Sequence, residues 1–494
     1  MKRAASLIAL LATSCTSLEP AYVRPDPAVP ASWPTGHPYL QAVEASLPAV
    51  RYTDIFTDPR LQTLIGQALL NNRDLMVAAA NIAEAREQYR IQRAQQFPQL
   101  DASAGATATG TRSNGGSGGN GNGNGNGGAS GNSGSGSGVA ANYNLGVSVP
   151  SFELDLFGRL RSLTHSQLEQ FFATEEAARA TRLTLVAEIA TAWLTHASDE
   201  SLLKIAQQTA ASAQRSVQLT RLRLNGGIAP RTDLSQAEQI LDQAQADLAR
   251  QRTLVAQDVN ALQLLVGAPI APGLLAGSID EAFGTVVPLP AGVSSYVLLR
   301  RPDVLQSEYQ LRAANAEIGA ARAALFPKIS LTGLLGLASS ALTSLISGGA
   351  FGWSAGANAG YTIFQGGAGR ANVRLTEAQR AAAIATYQRS IQTAFREVAD
   401  ALARRGTLNE ELASRQRQQA AAGDAYLLTE ARYRAGVDPF LNVLDSQRSY
   451  YAAQQTLVQM KLTAAENLVT LYQALGGDSL LDPSPVKPQD RLFG

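Results

Sequence analysis

From Phe351 to Ile363 the chain alternates without a break. Phe351, Trp353, Ala355, Ala357, Ala359, Tyr361 and Ile363 fall on one side, while Gly352, Ser354, Gly356, Asn358, Gly360 and Thr362 fall on the other. A period of two predicts a strand with one apolar face. Asn142–Val149 repeats the pattern, with Tyr143, Leu145, Val147 and Val149 against Asn142, Asn144, Gly146 and Ser148, and Leu100–Ala108 and Ile329–Leu335 carry weaker versions. These lengths bracket the roughly 9–11 residues that cross a bilayer as a tilted strand. Phe97, Phe152, Phe157, Phe326 and Phe364 gather at the strand ends, where an interfacial aromatic belt would sit. Elsewhere Ala, Gln, Arg, Glu and Leu dominate, and no proline interrupts 60–96, 160–225 or 232–266, which predicts three helices. Three more are predicted over 294–325, 370–435 and 440–475, with Pro302 a break near the start of the first.

The second set restates the first. Asn71–Leu100 aligns without a gap on Arg300–Ile329, matching Asp74 to Asp303 and Phe97-Pro98 to Phe326-Pro327 at an offset of 229. Farther on, Arg223–Pro230 (RLNGGIAP) aligns on Arg432–Pro439 (RYRAGVDP), and Glu188 on Glu397, at an offset of 209. The fall from 229 to 209 means that the first copy gained 20 residues between Pro98 and Glu188. The run Gly110–Gly138, almost wholly Gly, Asn and Ser, lies there and is expected to be an exposed loop tip. A period near 200 residues is too long for a solenoid unit, so the duplication is of a domain-sized module.

In each copy the two shorter helices together approach the length of the long one. At 1.5 Å per residue the long helices would reach on the order of 100 Å, which suits a tube wall better than a globule. Four strands cannot close a barrel, and an open edge in lipid leaves backbone groups unpaired at several kcal/mol each. The barrel is therefore expected to be shared between chains, with eight strands from two or twelve from three. The bland alternatives are an ordinary helical bundle and a small soluble sheet, but no amphipathic element is left over to cover such a sheet.

A formal charge of +1 gives no basic footprint for phosphates, so nucleic acid is not an expected partner. His37, His165 and His196 are scattered and Cys15 is the only cysteine, so no metal cluster of ordinary spacing is expected. Lys2-Arg3 followed by the apolar stretch Ala4–Ala12 reads as an export signal over 1–14. Leu11-Ala12-Thr13-Ser14-Cys15 resembles a bacterial lipoprotein cleavage site, with Ala12 where Leu is usual. Lipid on Cys15 is the expectation, against simple secretion with an unused thiol. No later stretch approaches the roughly 20 apolar residues of a transmembrane helix. Residues 15–59 are Pro-rich and aperiodic, an extended arm, and 477–494 read as a similar tail. Repeat 1 is placed over 60–285 and repeat 2 over 286–476.

Phe152-Glu153-Leu154-Asp155-Leu156-Phe157-Gly158-Arg159 after the second strand has a counterpart in Ile363-Phe364-Gln365-Gly366-Gly367 after the fourth. With Arg432-Tyr433-Arg434-Ala435-Gly436-Val437 and Leu444-Asp445-Ser446-Gln447-Arg448, these segments resemble the outer-membrane efflux proteins of Gram-negative bacteria, the TolC/OprM-like family, in its lipoprotein branch. The resemblance covers nearly the whole mature chain. It implies an α+β membrane protein: a homotrimer whose twelve-strand transmembrane β-barrel continues into a long periplasmic α-helical barrel, with the Gly-rich loop outside the cell. It implies a palmitate-bearing lipoprotein anchored in outer-membrane lipid, and Thr16 after the cysteine fits outer-membrane sorting. The implied function is the passive, gated exit duct of a tripartite multidrug-type efflux pump. Its partners would be a periplasmic adaptor (membrane fusion) protein and an inner-membrane RND-type transporter. The exit channel of a type I protein-secretion system and a non-conducting envelope scaffold are the alternatives.

No active site is expected, and no cofactor beyond the lipid. Matches to G-x-G-x-x-G within Gly115–Gly138 follow from low complexity and lack a strand-to-helix setting. Glu153 and Asp155 read as a strand rim rather than a catalytic pair. The informative polar cluster follows Gly436, where Leu441, Asp445 and Arg448 stand at i, i+4 and i+7 on one helix face. Spacing alone favours a solvated face with an ordinary Asp–Arg pair. The resemblance implies instead a periplasmic gate, because the family's constriction is formed at positions matching these three. Three copies would present a ring of carboxylates, which filters cations. The first copy carries Thr232, Gln236 and Gln239 at the aligned positions, so the charge belongs to the second repeat. Tyr433 and Asp438, flanking the same turn, are candidate latch residues. The exported compound is not legible in this chain.

Overall fold

The computed structural model describes residues 17–37, 39, 51–110, 139–287, 295–346 and 349–477. Cys15, the export signal, most of the Gly-rich run and the C-terminal tail from 478 lie outside the described residues. In chain order the elements are helices α1 (Tyr52–Ile55), α2 (Pro59–Asn71) and α3 (Arg73–Ala94), then strands β1 (Asp101–Gly110) and β2 (Val139–Leu154). Helices α4 (Arg159–Asn225), α5 (Arg231–Val266), α6 (Ile279–Phe283) and α7 (Pro302–Ala323) follow. Strands β3 (Lys328–Ser339) and β4 (Phe351–Gly360) and helices α8 (Ala368–Arg434) and α9 (Phe440–Ala474) complete the order, with short 3-10 turns between. Both long helices, α4 and α8, contain 67 residues and begin 209 positions apart. No described helix is long and apolar enough to cross a membrane.

The chain divides into two compact units. One comprises Met1–Ala21, Gln88–Gln167 and Ala314–Ala378 and contains the sheet; the other comprises Tyr22–Glu87, Leu168–Ala313 and Gln379–Gly494. The sheet is antiparallel throughout, in the order β1-β2-β3-β4, so β1 and β4 each keep one unpaired edge. Its two faces are sorted by the period-two pattern. Ala104, Leu145, Leu337 and Phe351 form one cross-strand row and Ala102, Val147, Leu335 and Trp353 the next. The opposite face carries Ser103, Gly146, Gly336 and Gly352 in one row. Phe351 and Trp353 are 60% and 72% exposed, so none of the described residues covers that part of the apolar face.

Strand bounds follow pairing rather than composition. β2 runs past the expected Val149 to Leu154 because β3 continues opposite it, and the register slips between Val149 and Phe152. Pro150 lies within that slip; without an N–H it cannot continue a ladder, so a bulge absorbs it. β4 stops at Gly360, where its pairing with Lys328 ends, rather than at Ile363. Beyond the β2–β3 ladder, Phe157 and Phe326 stack at 4.6 Å with an interplanar angle of 19°.

In the other unit, a core of Trp193, Ile189, Leu194, Leu64, Ile65, Leu262 and Tyr472 is fully buried. Trp193 donates its indole N–H to the Leu274 carbonyl at 3.0 Å, and Phe56 meets Tyr472 edge-on at 5.3 Å. The arm is extended over 17–37, as its prolines dictate, and residues 52–55 form the short α1. Trp33 stacks on Phe395 at 4.9 Å, and Arg24 pairs with the buried Glu308.

The helix expected over 60–96 is two helices. Asn72 adopts extended backbone, and its side-chain oxygen accepts from the Asp74 and Leu75 N–H groups at 2.9 and 3.1 Å, capping α3. Its amide also donates to the Leu265 carbonyl at 2.8 Å. The same interruption stands 229 residues later. There a 3-10 turn, Ser295–Arg300, precedes α7, and buried Arg301 bonds Asp303, Glu397 and the Ala474 carbonyl.

Candidate functional site at the helix turns

Two turns in the helical unit, joining α4 to α5 and α8 to α9, are built alike. Gly227 and Gly436 take φ of +73° and +77°, left-handed values that favour glycine at a helix end. In each turn an N–H reaches back to an arginine carbonyl: Ile228 to Arg223 and Val437 to Arg432, both at 2.9 Å. Pro230 and Pro439 then open the next helix with φ of −73° and −72°. Ile228 and Val437 project from the turns, 71% and 63% exposed.

On α9 the first turns split cleanly. Phe440, Val443 and Leu444 are buried with Val217, Ala237 and Tyr433. Leu441 is 61% exposed on the other side, and Asp445 and Arg448 are exposed with it. The structure thus brings the three expected gate residues to one open face. Asp445 is not isolated there, because Arg448 donates to its carboxylate at 2.7 Å. Each chain therefore presents a leucine and a neutral ion pair rather than a bare carboxylate.

The two latch candidates each have partners in their own chain. Asp438 accepts both Nε and a terminal nitrogen of Arg432, at 2.7 and 3.0 Å, and that guanidinium holds its carboxyl below the usual range. Tyr433 is buried, tilted against Phe440 at 5.1 Å. Arg223 lies over the Tyr433 ring at 4.5 Å and donates to its carbonyl at 3.0 Å. The Tyr433 hydroxyl is buried without a hydrogen-bond partner among the described residues. Nearby, Ser212 and Tyr426 share a hydroxyl bond at 3.0 Å, and Thr429 and Ser446 one at 2.6 Å. Sequence reading missed Arg223 and Arg432 as parts of this cluster. Their alignment at the head of the matched segments RLNGGIAP and RYRAGVDP was the available signal.

The arrangement has no nucleophile–base pair, and no cluster of three metal-ligating side chains occurs among the described residues. It is a helix end with an exposed polar face.

Known proteins match this chain along nearly its whole length. The profile of the family described as outer membrane efflux protein matches residues 64–268 and 293–477. The solvent efflux pump outer membrane protein SrpC of Pseudomonas putida is 39% identical over 476 residues, covering 95% of this chain and 97% of its own. The cation efflux system protein CusC of Escherichia coli is 36% identical, covering 95% and 98%. The crystal structure of the open state of the MtrE outer membrane channel of Neisseria gonorrhoeae superposes with a TM-score of 0.81 at 33% identity, covering 94% and 98%.

Proposed function

We infer function from membership: the chain belongs to the outer membrane efflux protein family, and it is the outer-membrane component of an efflux pump. The family is one of channels rather than enzymes. Within that function we propose a homotrimer whose twelve strands close a barrel in the outer membrane and whose helices form the periplasmic duct. The observation that carries this reading is the sheet itself. It has two unpaired edges and an apolar face of Leu145, Val147, Leu335 and Trp353 left exposed by its own chain. An edge in lipid is untenable, so the edges must meet other copies.

Leu441, Asp445 and Arg448 are proposed as the periplasmic gate, and the Arg223–Tyr433 and Arg432–Asp438 contacts as the latch that holds each turn. Opening would be a two-state shift of these helix pairs, biased by a partner. The exposed Ile228 and Val437 at the two turns offer apolar contacts for a periplasmic adaptor, with an RND-type inner-membrane transporter supplying the energy. Cys15 is proposed to carry the lipid anchor.

Two measurements test the reading. In mild detergent the purified particle should have the mass of three chains, and in planar bilayers it should conduct. A stable folded monomer in detergent would end the barrel reading, and a trimer without conductance would leave a scaffold.

A further inference from the structure

The duplication extends past the ends of α5 and α9. Leu262 and Val266 align on Leu471 and Leu475 at the offset of 209, and all four are buried. Gly267 and Gly476 follow at that same offset, with φ of +72° and +91°, left-handed values that turn the chain off a helix end. Residues 269–285 continue the first copy and align on 478–494, which lie outside the described residues.

In the first copy this segment folds back along α4. Leu274 accepts the Trp193 indole N–H at 3.0 Å, Gly277 accepts from the Lys204 ammonium at 2.7 Å, and the Ile279 N–H donates to the Ser201 hydroxyl at 2.8 Å. Ile279 and Ala282, on the inner side of α6, are fully buried, and Ser201 beneath them is 7% exposed. On its other side Asp280 pairs with Lys461 of α9. Phe283 packs on the cluster of Leu408, Met460 and Ala464, as does Leu412. α6 is therefore a strap across the long helices.

The offset of 209 carries the seat of that strap from α4 to α8, taking Ser201 to Glu410 and Ile205 to Ser414. There Thr407, Glu410, Glu411, Ser414, Arg415 and Gln418 line an open depression of about 390 Å³. Glu410 and Ser414 are exposed where Ser201 is covered.

The aligned segment has the features to fill it. Pro488–Leu492 falls on Ile279–Phe283, with Leu492 in the place of Phe283. Proline suits the first position of a helix and an acid suits the first turn, so Pro488 and Asp490 supply a helix start, as Asp280 and Glu281 do for α6. Seat and segment also differ from the first copy in a complementary way. Pro488 has no N–H to donate, and Glu410 replaces the serine that received one. Lys487 and Arg491 stand at the places of Ser278 and Ala282. Glu411 is already paired with Arg404 at 2.9 Å, whereas Glu410 has no ion-pair partner among the described residues.

We propose that residues 478–494 fold back onto the Glu410–Ser414 face of α8 in their own chain as the counterpart of α6, with Lys487 and Arg491 against Glu410. The hairpin of α8 and α9, which carries Leu441, Asp445 and Arg448, is then strapped as the hairpin of α4 and α5 is. The seat does not depend on how the sheet edges are closed.

Thiol accessibility tests the seat in the purified protein. Ser414→Cys should react with a maleimide several-fold more slowly in the full chain than in one that stops after Gly477, with the wild type giving the background from Cys15. Lys487→Glu with Arg491→Glu should expose the thiol as the truncation does, and Glu410→Lys in that background should restore protection. Glu410→Cys with Pro488→Cys should form a disulfide within one chain under mild oxidation, mapped by mass spectrometry. Ser201→Cys with Ile279→Cys, already in contact in the first copy, is the positive control. Equal labelling of the full and truncated chains, a charge reversal that leaves the thiol protected, or a disulfide that joins two chains would overturn the proposal.

Discussion

Arg448 donates to the carboxylate of Asp445 at 2.7 Å, one turn along the same exposed face of α9. The pair changes what a ring of three copies would do at a constriction. A carboxylate ring alone would select cations, but three neutral pairs have opposed charges at nearly the same radius. Removing one partner should bare the other. Asp445→Ala is expected to move the reversal potential under a salt gradient toward anion preference, and Arg448→Ala toward cation preference. Leu441→Ala should raise single-channel conductance with little change in selectivity. Gln236→Ala, the aligned site in the first repeat, should leave selectivity where it was. Identical reversal potentials for the wild type and both charge variants would mean that this face does not line the pore.

The Tyr433 contacts make a second prediction, which separates ring from hydroxyl. Its hydroxyl is buried without a partner among the described residues, while Arg223 covers the ring and bonds the carbonyl. Tyr433→Phe should therefore leave conductance close to wild type and raise stability, because an unmet buried donor costs about 1–3 kcal/mol and its removal relieves that cost. Arg223→Ala loses a cation–π contact and a charged hydrogen bond, together about 2 kcal/mol, and should raise open probability in bilayers. A latch that works through the tyrosine hydroxyl predicts the reverse ranking.

Asn72 is the third test. Its side chain caps α3 through two N–H groups and also ties the Leu265 carbonyl. Asn72→Ala should destabilise the helical unit by about 1–3 kcal/mol, the sum expected for a lost cap and a buried hydrogen bond. Thermal unfolding followed by far-UV circular dichroism would measure it. An unchanged midpoint would show that the break between α2 and α3 is held by packing alone.

The fourth concerns pH. Burial and the neighbouring Asp199 carboxylate push Asp258 up to about 7. An acid whose folded value is raised binds more protons in the folded than in the unfolded state. Stability should therefore fall as pH rises from about 4 to about 7, the interval between the ordinary carboxyl value and the raised one. Glu175, Glu176 and Glu466, raised by burial, act in the same direction. Asp258→Asn should flatten the slope without abolishing it, read as unfolding midpoints at pH 5 and pH 8.

The fifth concerns the Gly-rich segment. Gly110 and Val139 are directly paired at the end of the β1–β2 ladder, so the intervening residues can be replaced by an Asn-Gly turn that suits a hairpin. Shortening the loop through about four halvings changes closure entropy by about 2 kcal/mol in favour of folding. Trimer mass and efflux in a complemented strain should be retained. Loss of outer-membrane insertion would assign the segment a structural role.

Much of this architecture was legible because it is periodic. The long helices and their turns follow from unbroken helix formers that end at Gly227-Pro230 and Gly436-Pro439, and the sheet's faces follow from alternation. The pairing of Asp445 with Arg448 was available from spacing alone. The break at Asn72 was not, since asparagine is tolerated within a helix and becomes a cap only because Leu265 offers a second partner. Burial of Tyr433 was hidden for a similar reason: it depends on Val217 and Ala237 from distant helices, which no local pattern reports. The bulge at Pro150 could have been read, because a proline inside an alternating strand has few other ways to be accommodated.

The glycine pair at Gly146 and Gly336 has a consequence for whatever passes through. A Cβ on Gly336 would lie 2.7 Å from the Leu145 carbonyl oxygen and 2.9 Å from the Gly146 Cα, so the backbones approach too closely for a side chain. With Ser103 and Gly352 beside them, that row is nearly bare backbone, a band between rows that carry Asn144 and Leu334. If it lines a bore, a solute in transit meets few side chains that could grip it. Residence times against such a wall would be short, and bulky or dissimilar cargoes would travel at nearly the same pace.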